Sequence, residues 1–384
     1  MFDVAIIGAG PAGSIAARDL ARSGASVALI DASHPREKPC GGGVTGRALA
    51  LAGCAIGGGR AIETVTFEAG GKRASVPLPD ADYLRVYARE AFDEALLESA
   101  REAGAGIIRE RVSAFSREGT RWSIQAGSRT LLASWLLGAD GAGGIVRKRV
   151  FRPFDRRQLS IAAGSYVDGV DSREIAIAFV DRPKGYLWSF PRDGHLAVGT
   201  CAQADETSTA EMHVVTDRWL DGYAPAAGRP RRRYAWPIPS LTAEAVDGER
   251  PAGAGWMLLG DAAGLVDPIT REGIFFAVRS GEMAAAALGG TDPAHVYTQG
   301  VRDELHGELR RAARLKAGFY RPRFTHLLVD ALNGSAAIRG VMVDLVAGRQ
   351  PYAGLRRRLL GTLEFGLMFR LVTSSATNRP ATAS

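Results

Sequence analysis

The chain has 384 residues, of which 46% are hydrophobic and 23% charged, and its formal net charge at pH 7 is +7. This length exceeds what one hydrophobic core usually serves, so we expect two structural domains or one domain with large insertions. The three scattered cysteines have neither a disulfide pattern nor a metal-ligand spacing, which predicts no metal site and fits a reducing, cytoplasmic compartment. No run reaches the roughly 18 apolar residues of a membrane span, and no aromatic-interleaved basic motif indicates nucleic acid.

The N-terminal segment predicts a βαβ unit that binds a nucleotide. The apolar strand "DVAIIG" leads into Gly8-x-Gly10-x-x-Gly13, the helix that follows stops at Gly24, and a second strand ends at Asp31. Gly8 permits a tight turn, Gly10 lets a pyrophosphate approach the backbone, and Gly13 lets the helix pack closely on the strand. Asp31 can accept hydrogen bonds from the ribose hydroxyls and would repel a 2′-phosphate. The unit therefore suits FAD or NAD better than NADP.

The segment "KPCGGG" at residues 38–43 predicts a close approach to the main chain. Three consecutive glycines, Gly41, Gly42 and Gly43, lose much backbone entropy on folding, so we expect another group to lie against them. Cys40 directly precedes them. Since buried cysteines usually act as small, inert hydrophobes, its thiol either shapes a pocket or takes part in chemistry.

Two later segments bring aspartates to the ends of apolar strands. "LLASWLLGAD" ends at Asp140, and "GWMLLGD" ends at Gly260 and Asp261, before a helix that begins near Glu272 or Gly273. Ligands bind at the carboxyl ends of strands in open α/β sheets. A second Gly-x-Gly-x-x-Gly motif does not occur, so the sequence indicates one dinucleotide site.

Residues 155–249 alternate in the manner of strands and predict an antiparallel sheet. Period two places Tyr186, Trp188 and Phe190 on one face of this sheet. That face is either an ordinary sheet core or the wall of an apolar cavity. The candidate polar neighbours of such a cavity are Arg192, His195 and Arg233.

The C-terminal segment, residues 296–384, reads as a series of helices with excess positive charge. Residues 301–384 contain 14 Lys and Arg against 6 Asp and Glu. Two interpretations are open. The helices either lie on a membrane surface that holds a hydrophobic substrate, or pack as a bundle on the rest of the protein.

Four stretches together carry a family resemblance: residues 8–31, "REKPCGGG" at 36–43, "GYLWSFPRDGHLAVG" at 185–199 and "GDAAGLVDPITREGI" at 260–274. The chain resembles the FAD-dependent geranylgeranyl reductase family, within the group of flavoproteins similar to p-hydroxybenzoate hydroxylase. The resemblance implies an α/β fold, α+β overall, with a Rossmann-type FAD-binding domain, an antiparallel-sheet substrate domain and a C-terminal helical region. The implied boundaries are 1–60, 80–154 and 250–295 for the FAD-binding domain, 61–79 and 155–249 for the substrate-binding sheet domain, and 296–384 for the helical region.

The resemblance also implies where FAD and substrate would lie. The FAD-binding set would be Gly8, Gly10, Ala12, Gly13, Asp31, Ala32, Gly41, Gly42, Gly43, Arg89, Val112, Asp140, Gly260, Asp261, Gly273 and Ile274. The flavin ring would lie against the triple glycine, with the helix that starts at Gly273 under its pyrimidine end. Tyr186, Trp188 and Phe190 would contact the substrate. Cys40 would either donate a proton after hydride transfer or only shape the pocket.

The chain departs from the family pattern at Arg271. The family usually has Pro-x-x-Gly-x-Gly where this chain reads "PITREG" at residues 268–273. We expect the Arg271 side chain to point into solvent. The alternative is a cation near the flavin or near an anionic substrate, which would raise the flavin potential.

Enzymes of two kinds share these motifs. A reductase would use FAD, with NAD(P)H or a ferredoxin-like protein as electron donor, to reduce a prenyl or other hydrophobic substrate. Flavin monooxygenases usually read Gly-Asp-Ala-Ala-His, but Gly264 stands at the histidine position here. Flavin halogenases carry Trp-x-Trp-x-Ile-Pro, and Tyr186 replaces the first tryptophan. We therefore expect a reductase, with an oxygen-activating enzyme as the alternative and a flavin-bearing sensor or lipid carrier as the non-enzymatic one.

Overall fold

The computed structural model describes residues 1–79 and 83–362. The α-helices in this part of the chain are α1 Pro11–Arg22, α2 Gly46–Ala52, α3 Arg89–Glu102, α4 Ile145–Val150, α5 Thr209–Asp221, α6 Ala243–Asp247, α7 Ile274–Leu288, α8 Pro293–Gly300, α9 Gly307–Phe319, α10 Pro322–Gly334, α11 Ala336–Val346 and α12 Leu355–Leu360. The strands are β1 Phe2–Ile7, β2 Val27–Ile30, β3 Gly43–Thr45, β4 Arg60–Ala61, β5 Thr64–Ala69, β6 Lys72–Pro77, β7 Leu84–Val86, β8 Gly106–Ile108, β9 Val112–Glu118, β10 Arg121–Ala126, β11 Arg129–Gly138, β12 Leu159–Asp168, β13 Glu174–Val180, β14 Gly185–Pro191, β15 His195–Gln203, β16 Arg231–Pro239, β17 Ala252–Gly253 and β18 Trp256–Leu258.

The first sheet has a parallel core in the order β18-β11-β1-β2-β8. In β1, Val4 lies opposite Val27 of β2 and Trp135 of β11. The last four residues of β1 are buried, as expected for a strand in the middle of a parallel sheet. Because parallel strands end at the same edge, β1, β2 and β11 open onto one shared ligand-binding edge.

Helices α1 and α7 pack at backbone distance. A Cβ at Gly281 of α7 would lie 2.5 Å from the carbonyl oxygen of Ala12 in α1, so only glycine permits this approach. A Cβ at Gly260 would lie 3.4 Å from the Ala12 Cβ. The close packing therefore places the turn after β18 beside the start of α1.

The second sheet has seven strands in the order β16-β12-β15-β14-β13-β5-β6. Residues 64–77 supply β5 and β6, far along the chain from the other five strands. The sheet is antiparallel except between β13 and β5, which run parallel, and β6 then forms the edge antiparallel to β5. The predicted fold class is thereby confirmed, while the division into domains stays a prediction. The alternating pattern did not indicate α5, which packs on β12 and β15.

Helices α10 and α11 pack against this second sheet. Their apolar residues are buried in one cluster with residues of β5 and β6, and the helical members are Leu328, Val329, Ala331, Leu332, Ile338, Met342 and Val343. The covered faces favour the bundle interpretation for these two helices. The last helix of the described chain is α12, and the part of the predicted helical segment beyond residue 362 lies outside the described residues. Within the described chain, no helix has the length and apolar character needed to cross a bilayer.

Candidate active site

The turn between β1 and α1 forms a cradle of backbone atoms. Gly8 has a φ of +105°. A Cβ there would lie 2.3 Å from the carbonyl oxygen of Ala139, and a Cβ at Gly13 would lie 1.9 Å from that of Gly8, so neither position can carry a side chain. Gly10, the N-cap of α1, has no side chain with which to cap the helix. The N–H groups of the first turn therefore remain for an anionic ligand.

Protein groups hold Asp31 at the end of β2. Its Oδ2 accepts a hydrogen bond from the Ala9 N–H at 3.0 Å and lies 2.9 Å from His34 Nδ1, while Oδ1 accepts from the Ser33 N–H at 2.7 Å. Burial alone would raise the pKa of Asp31, but His34 and the backbone donors outweigh burial and hold the pKa well below its ordinary value. An ionised carboxylate keeps further lone pairs for ribose hydroxyls. Sequence reasoning missed His34. Its position three residues after Asp31 is the one feature that could have indicated a contact with that carboxylate.

Close contacts within the protein account for the triple glycine. A Cβ at Gly42, whose φ is +82°, would lie 2.3 Å from the Tyr87 carbonyl oxygen. A Cβ at Gly41 would lie 3.0 Å from the Phe190 ring, and one at Gly43 would lie 2.8 Å from it. The groups that approach this main chain are thus Tyr87, Phe190 and Arg192, whose Nε would lie 2.9 Å from a Cβ at Gly42. Contact with a flavin ring stays a prediction.

Cys40 lies between two buried guanidinium groups. Its Sγ is 3.4 Å from Arg89 Nη1 and 3.6 Å from Arg192 Nη2. Arg89 is held by both carboxylate oxygens of Asp93, each 2.9 Å from Nη2, and Arg192 pairs with Glu37. Two cationic donors at one sulfur stabilise negative charge that forms there. The contact of Arg89 with the nucleotide stays a prediction.

A cavity of about 270 Å³ lies beside Cys40 and the triple glycine. Tyr186, Trp188 and Phe190 of β14 all lie on its wall, which is where their alternation places them. The Tyr186 hydroxyl donates to the Thr270 carbonyl at 3.0 Å. Most of the remaining wall is aliphatic or aromatic: Val65, Phe67, Ile175, Ile177, Phe179, Trp236, Ile238, Phe319, Met342 and Leu345. Such a wall suits a hydrophobic ligand.

The loop that leads into α7 forms another part of the cavity wall. Asp261, Gly273 and Ile274 all line the cavity. Asp261 Oδ2 lies 3.8 Å from Lys38 Nζ, and a Cβ at Gly273 would lie 3.2 Å from Asp261 Oδ1. Gly273 is the N-cap of α7. The positive end of that helix therefore meets the cavity.

Arg271 contradicts the expectation that its side chain points into solvent. Its φ is +60°, and it is the one non-glycine residue with a positive φ in the described chain. Its Nη1 donates to Ser240 Oγ at 2.5 Å and also to the Pro268 carbonyl, and the side chain lines the cavity. The expectation was wrong because the left-handed turn directs the side chain inward, and the motif alone does not tell which side of the loop faces the protein.

Several predicted FAD-binding residues lie away from the cavity wall. Asp140 Oδ2 accepts from the Val146 N–H at 3.0 Å, and burial raises the pKa of Asp140. Val112 begins β9 and is half-buried, Ala32 is exposed, and Ala12 is buried in α1. Their roles toward FAD stay predictions.

The candidate polar neighbours of the cavity differ in position. Arg192 reaches Cys40, whereas Arg233 forms an exposed ion pair with Asp217 at 2.7 Å. The His195 ring packs edge-on against Tyr166, with ring centroids 5.2 Å apart. Sequence reasoning missed Ser240 and Lys316, which carry no motif; both lie behind the cavity wall, where the Ser240 oxygen accepts from Arg271 Nη1 and from Lys316 Nζ. In the described ranges, no cluster of three or more His, Cys, Asp or Glu side chains could hold a metal ion.

The backbone cradle, the ionised Asp31 and the two helix starts fit a flavin dinucleotide. The sequence profile described as an FAD binding domain matches residues 1–289. The chain belongs to this FAD binding domain family. The match covers the whole first sheet, and the second sheet is inserted within it.

Proteins with similar sequences support the resemblance to the geranylgeranyl reductase family. Menaquinone reductase of Mycobacterium tuberculosis is 28% identical over 90% of this chain and 90% of its own length. Geranylgeranyl diphosphate reductase of Rhodobacter capsulatus is 29% identical over 74% of both chains. A geranylgeranyl bacteriochlorophyll reductase-like structure from Thermoplasma acidophilum has a TM-score of 0.78 at 22% identity, over 94% of this chain and 99% of that one. This last likeness shows the fold alone, and the resemblance to geranylgeranyl reductases is confirmed at the level of the family.

Proposed function

We propose that this FAD-dependent oxidoreductase reduces carbon–carbon double bonds of a prenyl or other hydrophobic substrate. When bound, reduced FAD supplies hydride from its N5. The main support is the apolar cavity, which contacts both the triple glycine and the start of α7. The names of the two sequence relatives, both reductases, point the same way.

The cavity wall would bind and orient the substrate. Each buried CH₂ group contributes about 0.8 kcal/mol, so a prenyl chain gains affinity from apolar contact alone. Tyr186 is fixed in place because its hydroxyl bonds to Thr270 and its ring stacks on Tyr320, with 6° between the ring planes. A rigid wall holds the double bond in one orientation and excludes water.

Cys40 is our proposed proton donor to the carbon that remains after hydride addition. Proton donation leaves a thiolate, which Arg89 and Arg192 are placed to stabilise. Replacement of Cys40 by Ser should slow product formation by about 100-fold, the typical contribution of a general acid. The flavin spectrum should stay unchanged. Equal single-turnover rates in the two proteins would assign Cys40 to pocket shape alone.

Gly264 bears on the oxygen-activating alternative. Its φ is +75°, and a Cβ there would lie 2.9 Å from Leu241 Cδ1. A histidine, which hydroxylases usually carry at this position, would be strained in this turn. This geometry weighs against a hydroxylase.

NAD(P)H or a ferredoxin-like protein is the proposed electron donor. We also propose a cytoplasmic enzyme whose basic C-terminal helices contact a membrane surface when the substrate resides there. The FAD enzyme should be reduced by NADPH, NADH or reduced ferredoxin in stopped-flow measurements. Electrostatic binding to anionic vesicles should weaken as the salt concentration rises. Binding that does not change with salt would show that the basic surface is not the contact.

An anaerobic experiment tests the proposed reaction. The FAD-loaded enzyme is reduced with dithionite and mixed with geranylgeraniol, with menaquinone or with buffer. Reoxidation by a prenyl compound, with a saturated product in mass spectrometry, supports the reductase. A strict requirement for oxygen, with a hydroxylated or halogenated product, overturns it.

A further inference from the structure

The side chain of Arg271 adds a cation to a cavity whose wall is mostly apolar but also includes Lys38, Arg89, Asp261 and Glu272. A non-glycine residue rarely adopts a positive φ, and such strain persists where the surrounding structure enforces it, most often at functional sites. Arg271 has this conformation at the position where the related family has glycine. Its side chain lies among the rings of Tyr186 and Tyr320 and the Cys201 thiol.

A second cation lies next to Arg271. Lys316 of α9 donates to Ser240 Oγ at 2.7 Å and to Gln203 Oε1 at 2.6 Å. The same Ser240 oxygen accepts from Arg271 Nη1 at 2.5 Å. Ser240 is 1% exposed, so both cations share one buried hydroxyl.

Neither cation forms an ion pair in residues 1–79 and 83–362; the carboxylate of Asp267 acts on Arg271, and those of Asp205 and Glu206 act on Lys316, only from longer range. No carboxylate oxygen there lies within 4.0 Å of Arg271 or Lys316, and Arg271 Nε is buried without an acceptor in the same ranges. Burial, and then the charge of Arg271, lower the pKa of Lys316 to about 7. Two neighbouring cations out of water are unfavourable unless an anion joins them. An anionic ligand would satisfy both.

We propose that Arg271, Lys316 and Ser240 form an oxyanion subsite of the cavity, which takes the carboxylate or phosphate of an otherwise apolar substrate. The inference deepens the proposed function and rests on it for the identity of the cavity. Arg271, which lines the cavity, would contact the ligand; Ser240 holds its Nη1, and Lys316 adds charge from behind the wall. The apolar chain of the substrate then lies along Phe179, Ile177 and Phe319.

Equilibrium binding to the FAD-loaded enzyme tests the subsite. Farnesoic acid, farnesyl phosphate and farnesol share one chain, and each is titrated while the flavin absorbance is recorded. At least one of the two acids should bind about tenfold more tightly than farnesol. The tighter acid identifies the oxyanion as carboxylate or phosphate.

Two variants and one control locate the effect. Arg271→Gly gives the turn the residue it favours and should weaken the acid by about tenfold while farnesol binds as before. Lys316→Met should weaken the acid by a smaller factor. Arg233→Met removes a cation outside the cavity and should change neither ligand.

Three results would overturn the subsite. They are equal binding of acids and alcohol by the unaltered enzyme, an equal loss of both ligands in Arg271→Gly, and no binding of any of the three ligands. The readout needs no turnover. An enzyme that binds the acid through Arg271 but is never reoxidised by a prenyl compound refutes the proposed function and leaves the subsite in place.

Discussion

The two loops that border the cavity differ in the residue that they place where glycine would be expected. At residues 41–43 the chain keeps glycine, because the Phe190 ring and the Tyr87 carbonyl occupy the space that side chains would need. At residues 268–273 the chain has an arginine in a left-handed conformation that glycine would adopt without strain. The first loop follows from packing. The second carries a cost that packing does not require, which indicates a functional reason for the side chain.

The largest expected effect tests the packing of the first loop. Gly42→Ala should destabilise the protein by about 3 kcal/mol or more and abolish FAD retention, because its Cβ meets a backbone carbonyl at a positive φ. Urea unfolding and the flavin content of the purified protein measure this. Gly57→Ala is the matched control, since a Cβ at Gly57 has no atom within 4 Å. Equal stability of the two variants would show that packing does not require glycine at position 42.

A smaller effect is expected where a side chain, and not backbone, fills the space. Gly43→Ala should cost about 1–2 kcal/mol, because its Cβ would lie 2.8 Å from a ring carbon of Phe190. Phe190→Leu should remove most of that cost. A double-mutant cycle on unfolding free energies measures the coupling, and additive effects would show that Phe190 is not the group in contact.

The second loop should make ligand binding depend on pH. Burial, and then the charge of Arg271, lower the pKa of Lys316 to about 7. Below that pH the amine is charged and attracts the oxyanion; above it the charge is lost. Cys201, Glu206 and Asp205 also act on the amine, whereas Arg271 stays charged throughout.

The affinity for farnesoic acid, whose carboxylate is ionised throughout this range, should therefore fall by up to about tenfold from pH 6 to pH 8, as the protonated fraction of Lys316 drops. Titrations by flavin absorbance at three pH values measure this. Lys316→Met should show a flat profile at its lower affinity. A profile that rises with pH would contradict the assignment.

The smallest effect isolates the strain at Arg271. Arg271→Gly and Arg271→Ala lose the same guanidinium contacts, but only glycine relieves the positive φ. The glycine variant should be more stable than the alanine variant by about 1 kcal/mol. Urea unfolding of the two proteins measures the difference, and equal midpoints would mean that the turn relaxes without strain.

The sequence predicted the N-terminal βαβ unit well because its signals are local. The strand, the glycine fingerprint, the stop near Gly24 and the acidic end at Asp31 follow one another within 31 residues. Each has one backbone geometry that suits it. The alternation of Tyr186, Trp188 and Phe190 placed them on one face for the same reason.

The second loop could not be predicted because its partners come from distant parts of the chain. Ser240 and Lys316 lie 31 residues before and 45 residues after Arg271, on elements that only tertiary packing brings together. The direction of the Arg271 side chain depends on one dihedral angle that the motif does not encode. His34 and Glu37 escaped notice because a histidine or a glutamate in a loop is usually solvated.

The pairing of β5 with β13 has a consequence for protein engineering. Strands β5 and β6, at one edge of the second sheet, precede β8 to β11 of the first sheet in the chain, and the other five strands of the second sheet follow them. A chimaera that exchanges residues 155–249 with a relative would keep two foreign strands at the edge. To exchange substrate preference between relatives, both segments of the sheet must therefore be exchanged together. The strands that pair in parallel, residues 64–68 and 174–178, should then come from the same protein.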